Sequence, residues 1–297
     1  MLSYQHAYHA GNHADILKHY ILFETITYLN RKDKPYTFFD THSGSGLYDL
    51  LDNRSLKTGE AQKGIVELYK SYSEKNDCPE DFKFFLQFIE KYLKKNMYPG
   101  SPAIETALLR EQDKLLLSEL HPQEIENLKK NIHFLQKESD GKSCSSVMIH
   151  HRSGWEMLKA MTPPDTKRGA VIIDPSYEET EDYYDAARTI VQVFKKWSNG
   201  VFLLWYPLVS HRTSDIENMI KAVTDGVRLK NPNTEIGRYE LLVDSPDSHV
   251  EVSLEENSQI KNPPRLYGSG LLVINEPWGL SDKVKSATAY VESIIKN

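Results

Sequence analysis

The stretch Ala170-Val171-Ile172-Ile173-Asp174-Pro175-Ser176-Tyr177 decides the fold. Four consecutive apolar residues end abruptly at a carboxylate and a proline, with no polar position between them. A strand without alternation is buried on both faces, which is the mark of a parallel sheet covered by helices on either side. The same texture repeats outward. Upstream stand a helix opened by Ser153-Gly154-Trp155-Glu156, which has the S-x-x-E form of a capping box, and before it a strand at Ser146-Val147-Met148-Ile149. Downstream come a helix through Tyr184 to Trp197 and a strand at Val201-Phe202-Leu203-Leu204-Trp205.

Nearer the N-terminus, strand Leu115 to Glu119 lies between a helix starting at Ser101-Pro102, read as a cap with proline in the first turn, and another after His121-Pro122. Tyr36-Thr37-Phe38-Phe39 is a strand ended by Asp40 and followed by the turn Ser43-Gly44-Ser45-Gly46. Asn12, Asp15 and the helically spaced Ile16, Leu17, Tyr20, Ile21, Phe23 and Ile26 predict a capped helix to about Asn30, preceded by a loose tail. Late strands at 239–243 and 270–275, without a full crossover helix between them, predict an antiparallel hairpin at the sheet edge, and a final helix follows. The expected fold is α/β, with a mostly parallel sheet.

At 297 residues the chain is long enough for one large domain with an insertion. From about Asn53 to Pro99 the texture turns to lysine-rich aromatic helices, with Phe82, Phe85, Leu86, Ile89 and Leu93 on one face. The expected organisation is a main domain of residues 1–52 and 100–297 interrupted by a helical subdomain at 53–99. Ser245 to Pro264 is polar and a candidate for disorder. Mean hydropathy is -0.54 and the apolar runs are far too short for a membrane span. The first residues have no basic and apolar leader pattern, so a cytoplasmic protein is expected. Two cysteines outside any CxxC spacing, Cys78 and Cys144, point away from a disulfide framework or a thiolate zinc site. The net charge of -6 counts against nucleic acid as a partner, although the first hundred residues are balanced in charge and leave room for a local footprint. An RNA enzyme of this charge would bind through few phosphate contacts.

In an open α/β sheet the ligand lies beyond the carboxyl ends of the strands, so the residues after each strand are the candidates. After the first strand come Asp40-Thr41-His42 and the glycines Gly44 and Gly46, where backbone can approach a cofactor closely or simply turn. The pattern is not GxGxxG, which disfavours a dinucleotide. Glu119 ends another strand, where a carboxylate accepts hydrogen bonds from ribose hydroxyls or is merely solvated. The sharpest signal is Asp174-Pro175-Ser176-Tyr177. Its carboxylate and the Pro175 carbonyl could accept both hydrogens of an exocyclic amine while Tyr177 stacks on a flipped base, so that the amine attacks a methyl sulfonium. The plainer reading is a helix-starting turn. His6, His9, His13 and His19 crowd one short segment, but His13 and His19 stand about 240° apart around a helix, so contacts to cofactor or substrate are favoured over a metal. Lys91, Lys94 and Lys95 read as a solvated helix face ahead of a phosphate surface.

These pieces in order resemble the ribosomal large subunit methyltransferase J family, the bacterial 23S rRNA adenine-N6-methyltransferases. The opening Met1-Leu2-Ser3-Tyr4 with His6, His9-Ala10-Gly11-Asn12-His13-Ala14-Asp15 and Leu17-Lys18-His19 look like its N-terminal signature. Asp40-Thr41-His42, Tyr98 to Pro102, Leu109 to Asp113, Glu119 to Pro122, Asp174-Pro175 and Leu204-Trp205-Tyr206-Pro207 are similar too, so the resemblance runs from residue 1 to about 278. It implies a class I, Rossmann-like S-adenosylmethionine enzyme with an inserted helical subdomain, acting as a monomer on protein-free or partly assembled 23S rRNA. It implies cofactor contacts from His19, His42, Ser101 and Glu119, with Ser153 and Gly154 near the cofactor adenine; the reading of the strand tips adds Gly44 and Gly46 of the glycine turn and Asp174. It implies Asp174 as the catalytic residue and Tyr4, His6 and Lys18 as residues that meet the RNA, with no metal; the chemistry of the strand tip adds Pro175 and Tyr177 to the catalytic set, with Tyr177 on the base and Lys18 beside them. The chain departs from the family pattern at Ser176, where a second proline is usual, at Ser153, where an aspartate is usual, and in a longer stretch at 247–264. A DNA adenine-N6-methyltransferase would use the same pocket, and a metal-dependent nuclease built on the N-terminal histidines is the reading from another class.

Overall fold

A computed structural model describes residues 5–75, 77–138, 146–244 and 266–296 of the chain. Tyr4, Cys144 and the stretch 245–264 lie outside the described residues. The first helix, α1 (His13–Asn30), is capped as its sequence predicts: the Asn12 side chain accepts the Asp15 amide. The segment before it is not the loose tail expected. Residues His6–Tyr8 form a 3₁₀ turn, and Ala7 and Ala10 are buried. The His6 ring and the Gly11 amide both bond the Asp15 carboxylate, while His9 bonds Glu60.

After β1 (Thr37–Asp40) the chain makes a long excursion through β2 (Leu47–Asp49), α2 (Asn53–Thr58), α3 (Glu67–Glu74), α4 (Glu80–Leu93) and β3 (Met97–Pro99). β2 and β3 pair antiparallel and close it at its base. The aromatic face of α4 packs on α1, with the Tyr20 and Phe82 rings 4.9 Å apart edge to face. The alternating units then resume as α5 (Ser101–Leu108), β4 (Lys114–Glu119), α6 (Pro122–Glu138), β5 (Ser146–His151), α7 (Gly154–Met161), β6 (Gly169–Ile173), α8 (Thr180–Lys196), β7 (Val201–Val209), α9 (Thr213–Lys230), β8 (Ile236–Leu242), β9 (Leu266–Ile274) and α10 (Leu280–Ile295). Two expected caps differ. Gly100, not Ser101, precedes α5, which frees the Ser101 hydroxyl for another partner. Ser153 precedes α7, but its side chain makes no capping bond.

The large sheet has the order β5-β4-β1-β6-β7-β9-β8, with β5, β4, β1, β6 and β7 parallel and β9 antiparallel to both its neighbours. This is the α/β architecture the apolar strands predict, a Rossmann-like sheet whose last strand slots between the two before it. The hairpin is therefore present, but only β8 is an edge. Strand alternation divides the core in two. Phe38, Leu115, Leu117, Ala170, Ile172 and Leu203 face the side covered by α1 and α10. Phe39, Leu116, Val171, Ile173, Phe202 and Leu204 face the layer of α7, α8 and α9. No helix of the described residues is long and apolar enough to cross a membrane.

Candidate active site

The same alternation aims the strand tips. Asp40 follows Phe39 and Asp174 follows Ile173, so both carboxylates turn to the side of α1 and α5; Glu119 shares the parity of Leu117. Ile173 pairs with Leu204, which sets Trp205 beside Asp174 on that side too. Together they border a cleft of about 270 Å³ at the carboxyl ends of the strands. His6, Lys18, His19, His42, Gly44, Ser101, Glu119, Ser153, Gly154, Asp174 and Pro175 all line it, residues drawn from positions 6 to 175 of the chain.

A buried ion network forms the floor. Lys18 Nζ lies 2.6 Å from Asp174 Oδ2 and 2.9 Å from Asp15 Oδ1. Burial alone would push the Lys18 ammonium down, but these two carboxylates outweigh it and hold the group above the ordinary lysine value. Burial likewise opposes ionisation of Asp15, but the hydrogen bond from His6 and the Lys18 ammonium overcome it and hold the carboxyl well below its usual value. Lys18 thus ties α1 to the end of β6 as a fixed cation. Among the described residues Asp174 Oδ1 has no partner and is left to accept from a ligand. The imidazoles of His19 and His42 are held neutral: burial lowers the first to about 3 and the second to about 4. His19 Nδ1 meets the Tyr98 hydroxyl at 2.9 Å, and His42 Nδ1 meets Thr41 Oγ1 at 2.8 Å.

The glycine loop is shaped by β4. Gly44 N donates to Glu119 Oε2 and His121 N to Oε1, each at 2.7 Å. A carboxylate has about four acceptor positions, so Glu119 keeps capacity for two hydroxyls. Gly44 has φ +57, and a Cβ there would stand 2.3 Å from the Tyr48 hydroxyl, so only glycine fits. Asp40 is wholly buried. It accepts the Ser101 hydroxyl at 2.7 Å and the His42 amide at 3.1 Å, and burial pushes its carboxyl up to about 7. Below it Glu105 is also wholly buried, with no hydrogen-bond partner on either oxygen; burial and the nearby Asp40 raise it well above the usual carboxylate range.

Two expected site residues do not reach the cleft. Tyr177 has φ +52, which turns its ring into the α8 and α9 side of the core. There it is 7% exposed, lies 4.5 Å from the Tyr183 ring, and donates its hydroxyl to the Trp205 carbonyl at 2.7 Å. A base stacked beside Asp174 cannot rest on a ring so placed. Gly46 lies behind the loop, where a Cβ would crowd Leu128 and Pro102. Conversely, Trp155, which packs edge to face on His42 at 4.8 Å, and Trp205 line the cleft without having been assigned a role. The register of an apolar strand running beside the Asp174 strand is the signal that points to Trp205.

Three of the crowded histidines each have a protein partner: His6 bonds Asp15, His9 bonds Glu60 and His19 bonds Tyr98. Among the described residues no group of three His, Cys, Asp or Glu side chains is arranged to hold a metal ion. On the insertion, Lys94 pairs with Glu90 and Lys95 with Glu138, as a solvated face would.

Comparisons with known proteins point to one family. The family profile described as Ribosomal RNA large subunit methyltransferase D, RlmJ, matches residues 33–297. A Haemophilus influenzae protein named ribosomal RNA large subunit methyltransferase J is 37% identical over 296 residues, covering 98% of this chain and 93% of its own. The Escherichia coli K12 protein of the same name is 34% identical over 297 residues, covering 99% and 94%. The crystal structure of protein LPL1258 from Legionella pneumophila superposes with a TM-score of 0.78 at 31% identity, over 97% of this chain and 94% of that one. A profile match over most of the length and two relatives aligned nearly end to end show that the chain belongs to the ribosomal RNA large subunit methyltransferase J family.

Proposed function

We propose that the protein is a cytoplasmic, monomeric 23S rRNA adenine-N6-methyltransferase that uses S-adenosylmethionine and acts on protein-free or partly assembled RNA. The observation that carries this reading is Asp174 at the tip of β6, turned into the cleft, with Oδ2 on Lys18 and Oδ1 without a partner among the described residues. The donor set suits the cofactor. Glu119 offers acceptors for ribose hydroxyls, Ser101 and the neutral His19 and His42 offer polar contacts for the amino-acid end, and Ser153 and Gly154 lie where an adenine would rest. Gly44 and Gly46 shape the loop that admits it. Bound there, S-adenosylmethionine supplies an activated methyl group whose departing sulfur is a neutral thioether.

The chain's own residues then have to orient a weak nucleophile. The N6 amine of adenine is conjugated with its ring. Hydrogen bonds from its two hydrogens to Asp174 Oδ1 and the Pro175 carbonyl draw the nitrogen toward a tetrahedral geometry and expose its lone pair. Asp174 is also placed to take the proton that the methylated amine releases. Lys18, fixed by Asp15, holds the Asp174 carboxylate at one angle, as second-layer partners do in other sites. His6 and Tyr4 are assigned to the RNA side. Residues 53–99 are assigned to an inserted subdomain. The base has to leave its stack to reach the cleft, which favours RNA not yet locked into a ribosome.

Titration calorimetry with S-adenosylmethionine, together with tritium transfer to rRNA lacking the modification, tests this reading. Asp174→Ala is expected to keep its fold and lose transfer by at least about 100-fold. Transfer by that variant at the wild-type rate would refute the assignment.

A further inference from the structure

An adenine presented to Asp174 needs a flat surface to lie on, and the ring expected to provide it is turned away. Tyr177 is locked by its left-handed backbone, its hydroxyl bond to the Trp205 carbonyl and its packing on Tyr183. Exposing it would break all three. Trp205 occupies the position that remains. It follows Leu204, the partner of Ile173, so its backbone runs beside Asp174 across one inter-strand spacing, about 4.8 Å. Trp205 lines the cleft with Asp174, Pro175 and Ser176; Lys18 Nζ, the same ammonium that pairs with Asp174, stands 5.6 Å from its ring centre, and the Tyr177 ring packs against it from the core at 6.0 Å.

The indole is held by packing rather than by hydrogen bonding. It touches both halves of the core, and its Nε1 is buried without a hydrogen-bond partner. A buried indole N–H usually finds an acceptor, and none of the described residues supplies one. The other tryptophan of the cleft, Trp155, lies on the far side against His42, next to Ser153 and Gly154, where the cofactor is assigned.

We infer that Trp205, and not Tyr177, is the aromatic platform on which the target adenine stacks while Asp174 and the Pro175 carbonyl hold its N6 amine. The inference rests on the reading of the cleft as an adenine-N6 transferase site. Stacking on an aromatic side chain is worth about 1–3 kcal/mol per base, or roughly 5- to 150-fold. Trp205 is therefore a substrate-binding residue whose loss falls on the RNA and spares the cofactor.

The test compares W205F and W205L with the wild type for methyl transfer to unmodified 23S rRNA. S-adenosylmethionine affinity is measured by calorimetry on each. W205L is expected to lose about 5- to 150-fold in kcat/KM for RNA at unchanged cofactor affinity, and W205F to recover most of that loss. Wild-type kinetics in W205L would overturn the inference, as would equal losses in both variants, because Leu fills space as Phe does and only the ring stacks. A second arm uses the wild-type protein and so does not depend on any variant folding. RNA carrying 8-azidoadenine at the target position is photolysed in the complex and the labelled peptide is sequenced. Label on Trp205 supports the inference, and label on Tyr177 overturns it. Failure of the wild-type protein to methylate rRNA at all would instead refute the underlying assignment of function, and the inference with it.

Discussion

Asp40 is the residue where the cost of building the cleft is most visible. Its carboxyl is wholly buried at the end of β1, and burial, only partly offset by the Ser101 hydroxyl and the His42 amide, raises it from 3.8 to about 7. A carboxyl whose folded value is raised binds its proton more tightly in the folded state. Its contribution to stability is present below about pH 4 and is lost as pH rises through about 7. Asp40→Asn, whose oxygen can still accept the His42 amide while its NH2 donates to the Ser101 oxygen, is expected to flatten that part of the stability profile and to raise the melting temperature at pH 8. The upper limit of the effect is on the order of 4 kcal/mol. Denaturant melts of both proteins at pH 5 and pH 8 measure it; identical pH dependence would mean that Asp40 is not held as the structure places it. Sequence alone marks Asp40 as a strand-tip residue. It does not show Glu105 buried beneath it, because nothing local to Ser101-Pro102-Ala103-Ile104-Glu105 announces that this helical carboxylate points inward.

At the level of elements, the cleft depends on how closely α7 approaches β1. A Cβ built on Gly154, the first residue of α7, would stand 2.0 Å from the Thr41 carbonyl oxygen, a backbone atom that cannot swing aside. Gly154→Ala must push the Asp40–Gly44 loop and α7 apart. The expected loss is about 1–3 kcal/mol of stability, with weaker S-adenosylmethionine binding, since His42 and Gly44 move with the loop. Calorimetry and denaturant melts on the same variant check both, and an alanine variant with unchanged stability would contradict the packing. The apolar runs and caps made most strands and helices legible, because burial on both faces removes alternation and leaves a clear signal. The helix α9 was not among the elements expected, although Ile216, Met219, Ile220, Val223 and Val227, which it buries, recur at helical spacing. The packed residues 5–11 were not, since their order comes from Asp15 and Glu60, partners that no local pattern reveals.

Across the whole molecule, strand order does what no single motif can. β1, β4 and β6 are neighbours in the sheet although Asp40 and Asp174 lie 134 residues apart in sequence, and this brings Asp40, Glu119 and Asp174 to one rim. The tip residues were identifiable one by one, each with a plain alternative as a turn or a solvated carboxylate. Their convergence with Lys18 and His19 of α1 on a single cleft is what separates the readings. Tyr177 marks the limit of motif reasoning: the residue type suits stacking, but backbone conformation sends the ring into the core. A net charge of -6 is compatible with RNA as substrate when recognition is local, with few phosphates neutralised.

The most direct measurement is mass spectrometry of 23S rRNA from cells lacking the gene, before and after incubation of that RNA with the purified protein and S-adenosylmethionine. The expected result is one adenine of the large-subunit RNA without its N6 methyl group, restored by the wild-type protein and not by Asp174→Ala. An unchanged set of N6-methyladenines in the deletion strain, or restoration by the Asp174→Ala protein, would contradict the account.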